Sequence, residues 1–307
     1  MALAASSTAF SPEKDVADTI ARLAREASVE INVHDIGHLE ESRRLLPPGK
    51  AVYVSHLPKQ SWSDTEAACR AVRAAGFRPV PHVPVRLLPD AATVDRVLSG
   101  FVNAAQVDEL LLISGDYPLA LGPYSEVLQL LTTGALQQHG IGRVSVAGHP
   151  EGHPKVQLAD IRRAELDKVR MAQQAGLELT LLTQFFFEEA PFLGWVRELR
   201  AAGVQARLVG GLAGPTKLST LIKFAMRCGA GASMRVLTAR PAAFAKLLGD
   251  HGPESVLRGL AQARCANTSD FAGIHLFCFG GFVRTCQWLQ ALGEGRFTLD
   301  DAGGFKV

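Results

Sequence analysis

From residue 28 onward the chain alternates between short apolar, β-branched runs and longer amphipathic stretches. The short runs are SVEINV, AVYVSH, RPVPHVP, ELLLISG, RVSVAG, LELTLLTQ, VQARLVG and GIHLFCF. They are nearly continuous in apolar residues rather than alternating, which is how a strand reads when both of its faces are covered. Between them the spacing predicts helices that start near Asp64, Ala91, Tyr124, Leu158, Ala190 and Pro215. Another helix opens the chain in SPEKDVADTIARLAREA. There Ser11 suits a cap, Pro12 the first turn, and Glu13 and Asp15 the positive end of the helix dipole. Strands that alternate with helices imply βαβ units and a parallel sheet. Eight such strands in 307 residues predict an α/β fold, a (β/α)8 TIM barrel with an extra N-terminal helix. Two stretches, ARPAAFAKLLGD and GPESVLRGLAQARC, read as additional helices before the last strand. A single barrel domain over 1–307 is expected, with 1–12 as a flexible lead-in. An open doubly wound sheet is the competing architecture. No G-x-G-x-x-G follows the first strand and no P-loop occurs, so its usual nucleotide signals are missing.

Composition narrows the function classes. Lys and Arg number 32 against 30 Asp and Glu, with no basic block, so nucleic acid is not an expected partner. Five cysteines are scattered without a C-x-x-C, which suits a reducing cytoplasm rather than a disulfide framework. The first residues carry no basic n-region, and no apolar run approaches the length of a membrane span. The chain is expected to be cytoplasmic, with no membrane partner.

In a (β/α)8 barrel, chemistry gathers at the C-terminal ends of the strands. Those ends carry Ser55 and His56, His82, Gly115 and Asp116, Gly148 and His149, Thr183 and Gln184, and Gly210 and Gly211. Glu30 lies within the first strand, where a carboxylate without a partner is costly and so points to a task or a partner. His149 and His153 flank Glu151, but Pro150 and Pro154 oppose the regular helix that would align them, so no metal site is expected.

Three of these segments carry a resemblance. TLLTQFFFE (180–188) resembles the TQFFFD of methylenetetrahydrofolate reductases, AGHPEGHP (147–154) their GYPEGHP, and LLISGDYP (111–118) their LRGDPP. Order and spacing agree, and VEINV, VPHVP and IKFAM add weaker similarity. The resemblance implies an FAD-dependent reductase in which NAD(P)H reduces the flavin and a hydride then passes to 5,10-methylenetetrahydrofolate. It implies that Glu30 is the acid that opens the folate ring, and burial is expected to raise its pKa. Asp116 is implied beside flavin and pterin, with a catalytic and a substrate-binding role, and Gln184 and Phe224 are implied as substrate contacts. Ser55, His82, Gly115, His149, His153, Glu165 and Lys168 fall at cofactor positions. Phe186 and Phe187 are read mainly as packing. The implied partner is the folate substrate, with a homo-oligomer possible.

Departures cluster on the flavin side. Ser114 replaces the arginine of the RGD segment, His149 a tyrosine, and Met171 and Ala172 two basic residues. Arg163 and Arg170 are the candidates to compensate. NVHD lacks the double proline after the first strand, and FGGF (279–282) stands where an Asn-Arg pair is usual. Two further readings stay open: a flavin-free reductase, and an accessory protein that only binds tetrahydrofolate. Retention of Glu30 favours chemistry.

Overall fold

The computed structural model describes residues 12–115, 117–153, 156–227 and 250–307. Asp116, residues 1–11 and all but the last residue of ARPAAFAKLLGD lie outside the described residues.

Eight parallel strands close into a barrel. They are β1 (Ser28–Ile31), β2 (Ala51–Val54), β3 (Arg78–Pro84), β4 (Glu109–Ile113), β5 (Arg143–Gly148), β6 (Glu178–Phe185), β7 (Arg207–Ala213) and β10 (Gly273–Phe277). Two short strands, β8 (Thr216–Lys217) and β9 (Asp250–His251), pair with each other between β7 and β10. The order around the barrel is β1, β10, β7, β6, β5, β4, β3, β2. Each apolar run of the sequence is therefore a barrel strand, and the fold is the expected (β/α)8 barrel.

The helices follow the amphipathic stretches. They are α1 (Pro12–Glu26), α2 (Leu39–Ser42), α3 (Trp62–Ala74), α4 (Ala91–Ala105), α5 (Val127–Leu131), α6 (Ala135–Gln138), α7 (Leu158–Gln174), α8 (Glu189–Ala201), α9 (Leu218–Arg227), α10 (Glu254–Cys265) and α11 (Phe282–Gly293). A capping box between Ser61 and Asp64 starts α3 and satisfies backbone donors that the helix leaves open. The stretch expected to form one helix from Tyr124 is instead two short ones, α5 and α6, because Thr132, Thr133 and Gly134 turn the chain between them. After β1 a 3-10 turn over Val33–His38, capped by Asn32, and the single-turn α2 stand in for a full helix. The chain closes with a hairpin of β11 (Thr298–Leu299) and β12 (Phe305–Lys306).

α1 packs across α10 and α11. Its C-terminal carbonyls are tied down by Lys50, whose Nζ donates to Ala24 O, Arg25 O and Ala27 O at 3.3, 3.0 and 2.7 Å. Most of the apolar core lies between the strands and the helices that cover them. A smaller cluster of Tyr53, Val80, Leu111, Leu182 and Val209 fills the barrel interior. Each of these side chains contributes roughly 1.5–3 kcal/mol by leaving water.

Candidate active site

Strand register fixes which side chains face the interior. Glu30 lies opposite Tyr53, Tyr53 opposite Val80, His82 opposite Leu111, Leu111 opposite Ser145, and Ser28 opposite His275. Period-two alternation then makes two polar layers with an apolar one between them. At the strand starts, Arg78 and the buried Glu109 form an ion pair, and Glu109 accepts from Ser145 Oγ at 2.9 Å and Tyr53 Oη at 3.3 Å. Nearer the strand ends, Glu30 meets two imidazoles. Its Oε2 lies 3.3 Å from His82 Nε2 and 3.8 Å from His275 Nε2. Its Oε1 accepts from Ser55 Oγ at 2.8 Å. The His275 ring is fully buried, its Nδ1 is 2.8 Å from Ser28 Oγ, and it packs edge-on to the rings of Tyr53 and Phe277. Glu30 Oε2, His82 Nε2 and His275 Nε2 are all buried and form no hydrogen bond.

The expected rise in the Glu30 pKa is corrected by these neighbours. Burial does push the carboxyl up, but His82, His275 and the Ser55 hydroxyl together pull it down, and the result lies below the ordinary value. Burial also holds His82 below the usual imidazole range, against the attraction of Glu30. The resting cluster is thus a carboxylate facing an uncharged His82. Ser55, expected on the cofactor side, joins this cluster, as does His82.

Gln184 owes its position to a β-bulge. Leu182 pairs with Val209 but Phe185 with Gly211, so three steps along β6 match two along β7. Thr183 absorbs the mismatch, with its Oγ1 accepting from Gly211 N at 2.8 Å. Glycine is required at 211, because a Cβ there would come within 2.4 Å of Thr183 O. The bulge leaves Gln184 exposed at the mouth, where its Oε1 accepts from Phe185 N at 3.1 Å. The three phenylalanines then divide. Phe186 is buried and stacks on Phe192 in the outer core. Phe185 is buried with Phe187, Phe224, Phe277 and Phe279 around it. Phe224 stacks on Phe279 at 4.2 Å between ring centroids and 15° between planes. Phe277, Phe279 and His275 stand beside the expected Phe224 and Glu30 with no motif in the sequence to mark them.

On the other side of the mouth, Gly115 follows β4, and a Cβ there would stand 2.8 Å from the Tyr117 ring and 3.1 Å from Pro84. Arg86 fastens this loop by donating to Tyr117 O and Ser125 O at 2.9 Å and to Gly115 O at 3.4 Å. Asp116 lies outside the described residues. After β5, His149 and the exposed His153 face each other edge-on at 6.4 Å. Glu165 is only 1% exposed and sits beneath this loop. It accepts from His149 N at 2.7 Å, and from Arg162 Nη1 and Trp195 Nε1 at 3.0 Å each. Lys168, half-buried on the next turn, lies near Glu165 and Glu126, and burial lowers its pKa.

FAD would require a flat bed for its ring, acceptors for its ribose hydroxyls and donors for its diphosphate. The described side chains here do not fit it. The Tyr117 ring covers Gly115, and both Glu165 oxygens are taken by protein donors. Ala172 is fully buried. Arg163 and Arg170 are exposed and paired with Asp160 and Asp167 one turn away on α7. Among the described residues, no group of three His, Cys, Asp or Glu side chains is placed to hold a metal ion, and no helix is long and apolar enough to cross a membrane.

Comparison with known proteins bears on the same segments. The methylenetetrahydrofolate reductase family matches residues 129–237, which include the β5 loop, α7, TQFFF and Phe224. Methylenetetrahydrofolate reductase 2 of Saccharomyces cerevisiae is 30% identical over 69 residues, 22% of this chain. That alignment spans 11% of the yeast protein's length. Among solved structures, muconate lactonizing enzyme from Klebsiella pneumoniae is similar at 16% identity and a TM-score of 0.35, over 61% of this chain and 45% of that one. The family match falls on the strand ends and the loop that shape the barrel mouth.

Proposed function

We propose that this protein reduces 5,10-methylenetetrahydrofolate to 5-methyltetrahydrofolate with NAD(P)H as the source of the hydride. One observation carries the reading: a buried carboxylate oxygen, Glu30 Oε2, faces two imidazoles without a hydrogen bond at the mouth of the barrel. A group used only for stability would be satisfied by its neighbours. Reduction requires the five-membered ring of the substrate to open to an iminium ion, and that demands two things of the protein. A proton must reach N10 as its bond to the one-carbon unit breaks, and the cation that forms must be stabilised. The Glu30 carboxylate answers the second by its charge. It answers the first by relaying a proton taken up from solvent at the mouth, since its lowered pKa leaves it ionised at rest. Gln184 offers an amide to the edge of a pterin, and the rings around Phe224 offer a wall for the aminobenzoate. The four cysteines among the described residues are free, which suits a reducing compartment, and we place the protein in the cytoplasm.

The test is formation of 5-methyltetrahydrofolate, followed by mass spectrometry, with NADH or NADPH and with or without added FAD. Glu30→Gln is expected to lower the rate by about 10²- to 10⁴-fold, the usual worth of a positioned acid. Wild-type protein that binds tetrahydrofolate yet gives no product under any of these conditions is a folate-binding protein and not a reductase.

A further inference from the structure

We infer that hydride passes directly from the nicotinamide to the folate, with no flavin between them. The inference rests on the reductase reading and concerns how the two electrons arrive.

Two halves of the barrel mouth differ in how they are built. On the β1, β2, β3 and β10 side, polar atoms are left open for chemistry: Glu30 Oε2, His82 Nε2 and His275 Nε2 have no hydrogen-bond partner. On the β4 and β5 side, His149 Nδ1 is likewise without a hydrogen-bond partner, 3.7 Å from Glu165 Oε1, but the carboxylate and guanidinium that a flavin dinucleotide would use there are spent within the protein. The Tyr117 ring occupies the side of Gly115 where a Cβ would stand, and Arg86 pins both residues through their carbonyls. Glu165 is the buried acid of α7, and His149 N, Arg162 and Trp195 consume both of its oxygens. Arg162 is spent as well, on Glu165, the carbonyl of His149 and the carboxylate of Glu198. Releasing Glu165 to a ribose would strand a buried indole N–H and the backbone N–H of His149, each of which costs free energy when left without an acceptor.

With that side closed, the hydride donor near Glu30 is the dihydronicotinamide itself. The step balances without a further reagent. C4 of NAD(P)H gives up a hydride, and its two electrons form the new C–H bond at the iminium carbon. NAD(P)H becomes NAD(P)+, the one-carbon unit becomes the N5 methyl group, and one proton enters at N10 by way of Glu30. Both ligands must then occupy the mouth together, with the reacting carbons roughly 3–3.5 Å apart. The exposed Gln184 amide suits a carboxamide as well as a pterin.

Isotope transfer decides the matter. The protein is purified without added flavin and turned over with methylenetetrahydrofolate and NADH or NADPH deuterated at C4, each face in turn. The mirror experiment uses unlabelled reductant in D2O. Hydrogen on N5 of a reduced flavin exchanges with water once the nicotinamide has left, whereas a hydride transferred in one step does not. Direct transfer predicts one deuterium in the methyl group from one face of the reductant, none from D2O, and no flavin released on denaturation. A methyl group that takes its deuterium from D2O, or turnover that appears only when FAD is added, overturns the inference and leaves the reductase reading standing. No product with either reductant, with or without FAD, overturns both.

Discussion

His275 is held against Glu30 by the residue two places before that carboxylate. Ser28 Oγ is 2.8 Å from His275 Nδ1, and the far nitrogen of the same ring points at Glu30 Oε2 from 3.8 Å. Ser28 and Glu30 share a face of β1 because side chains alternate along a strand, so one strand both orients the imidazole and presents the carboxylate to it. In the proposed reaction His275 reaches the substrate only through Glu30 and is a positioning residue. His275→Gln is expected to lower kcat by roughly tenfold or more with KM little changed, and to move the acid limb of the kcat–pH profile. An unmoved pH profile, whatever the rate, would reduce His275 to packing.

Gln184 is exposed on the bulge, so its loss should leave the fold intact. Gln184→Ala is expected to weaken tetrahydrofolate binding by about 1–2 kcal/mol, roughly tenfold in Kd, with an unchanged melting temperature. Calorimetry that returns the wild-type affinity would remove the amide from the list of anchors.

Gly148 ends β5 under the ring of Trp195. A Cβ at 148 would stand 2.7 Å from Trp195 Cζ2, and Trp195 is itself fixed by Glu165. Gly148→Ala is expected to cost about 1–3 kcal/mol through overpacking and to loosen the His149 loop. A melting temperature equal to that of the wild type would show that the indole can step aside.

Acid should destabilise the protein in a definite window. Burial holds His56 at about 4 and also lowers His82, which faces Glu30 and His275. Both depressed groups favour their neutral forms in the folded state. Their contribution is complete above the unfolded value of 6.5 and fades as pH falls toward the folded values, because the unfolded chain takes up protons that the folded one refuses. For His56 that interval is worth roughly 3 kcal/mol. Melting temperatures are therefore expected to fall steadily from pH 6.5 to 4.5, and less steeply in His56→Gln. A flat profile for the wild type over that range contradicts this account.

The barrel was legible because its strands are short, apolar and evenly spaced, and periodicity records burial. His82 and Gln184 were legible from their places at strand ends, Glu30 as a carboxylate inside a strand, and all three from the segments around them. His275 was not, since a histidine within GIHLF carries no mark of the direction it faces until register sets it opposite Ser28. The raised pKa expected for Glu30 failed for the same reason: burial was foreseen, but the two imidazoles come from β3 and β10, more than 50 and 240 residues along the chain. The hairpin at 298–306 was missed because two-residue strands leave no period to read.

The interior cluster of Val80, Leu111, Leu182 and Val209 lies between the Glu109 network and Glu30. It works as a stopper. Four aliphatic side chains offer no hydrogen-bonded path, and Tyr53, which spans the layer, has a hydroxyl that burial and Glu109 hold protonated. The barrel is therefore a vessel open at one end only. In the proposed reaction each proton consumed at N10 must then be replaced through the mouth, by the door through which the ligands come and go, so the site can be recharged only when it is not fully covered.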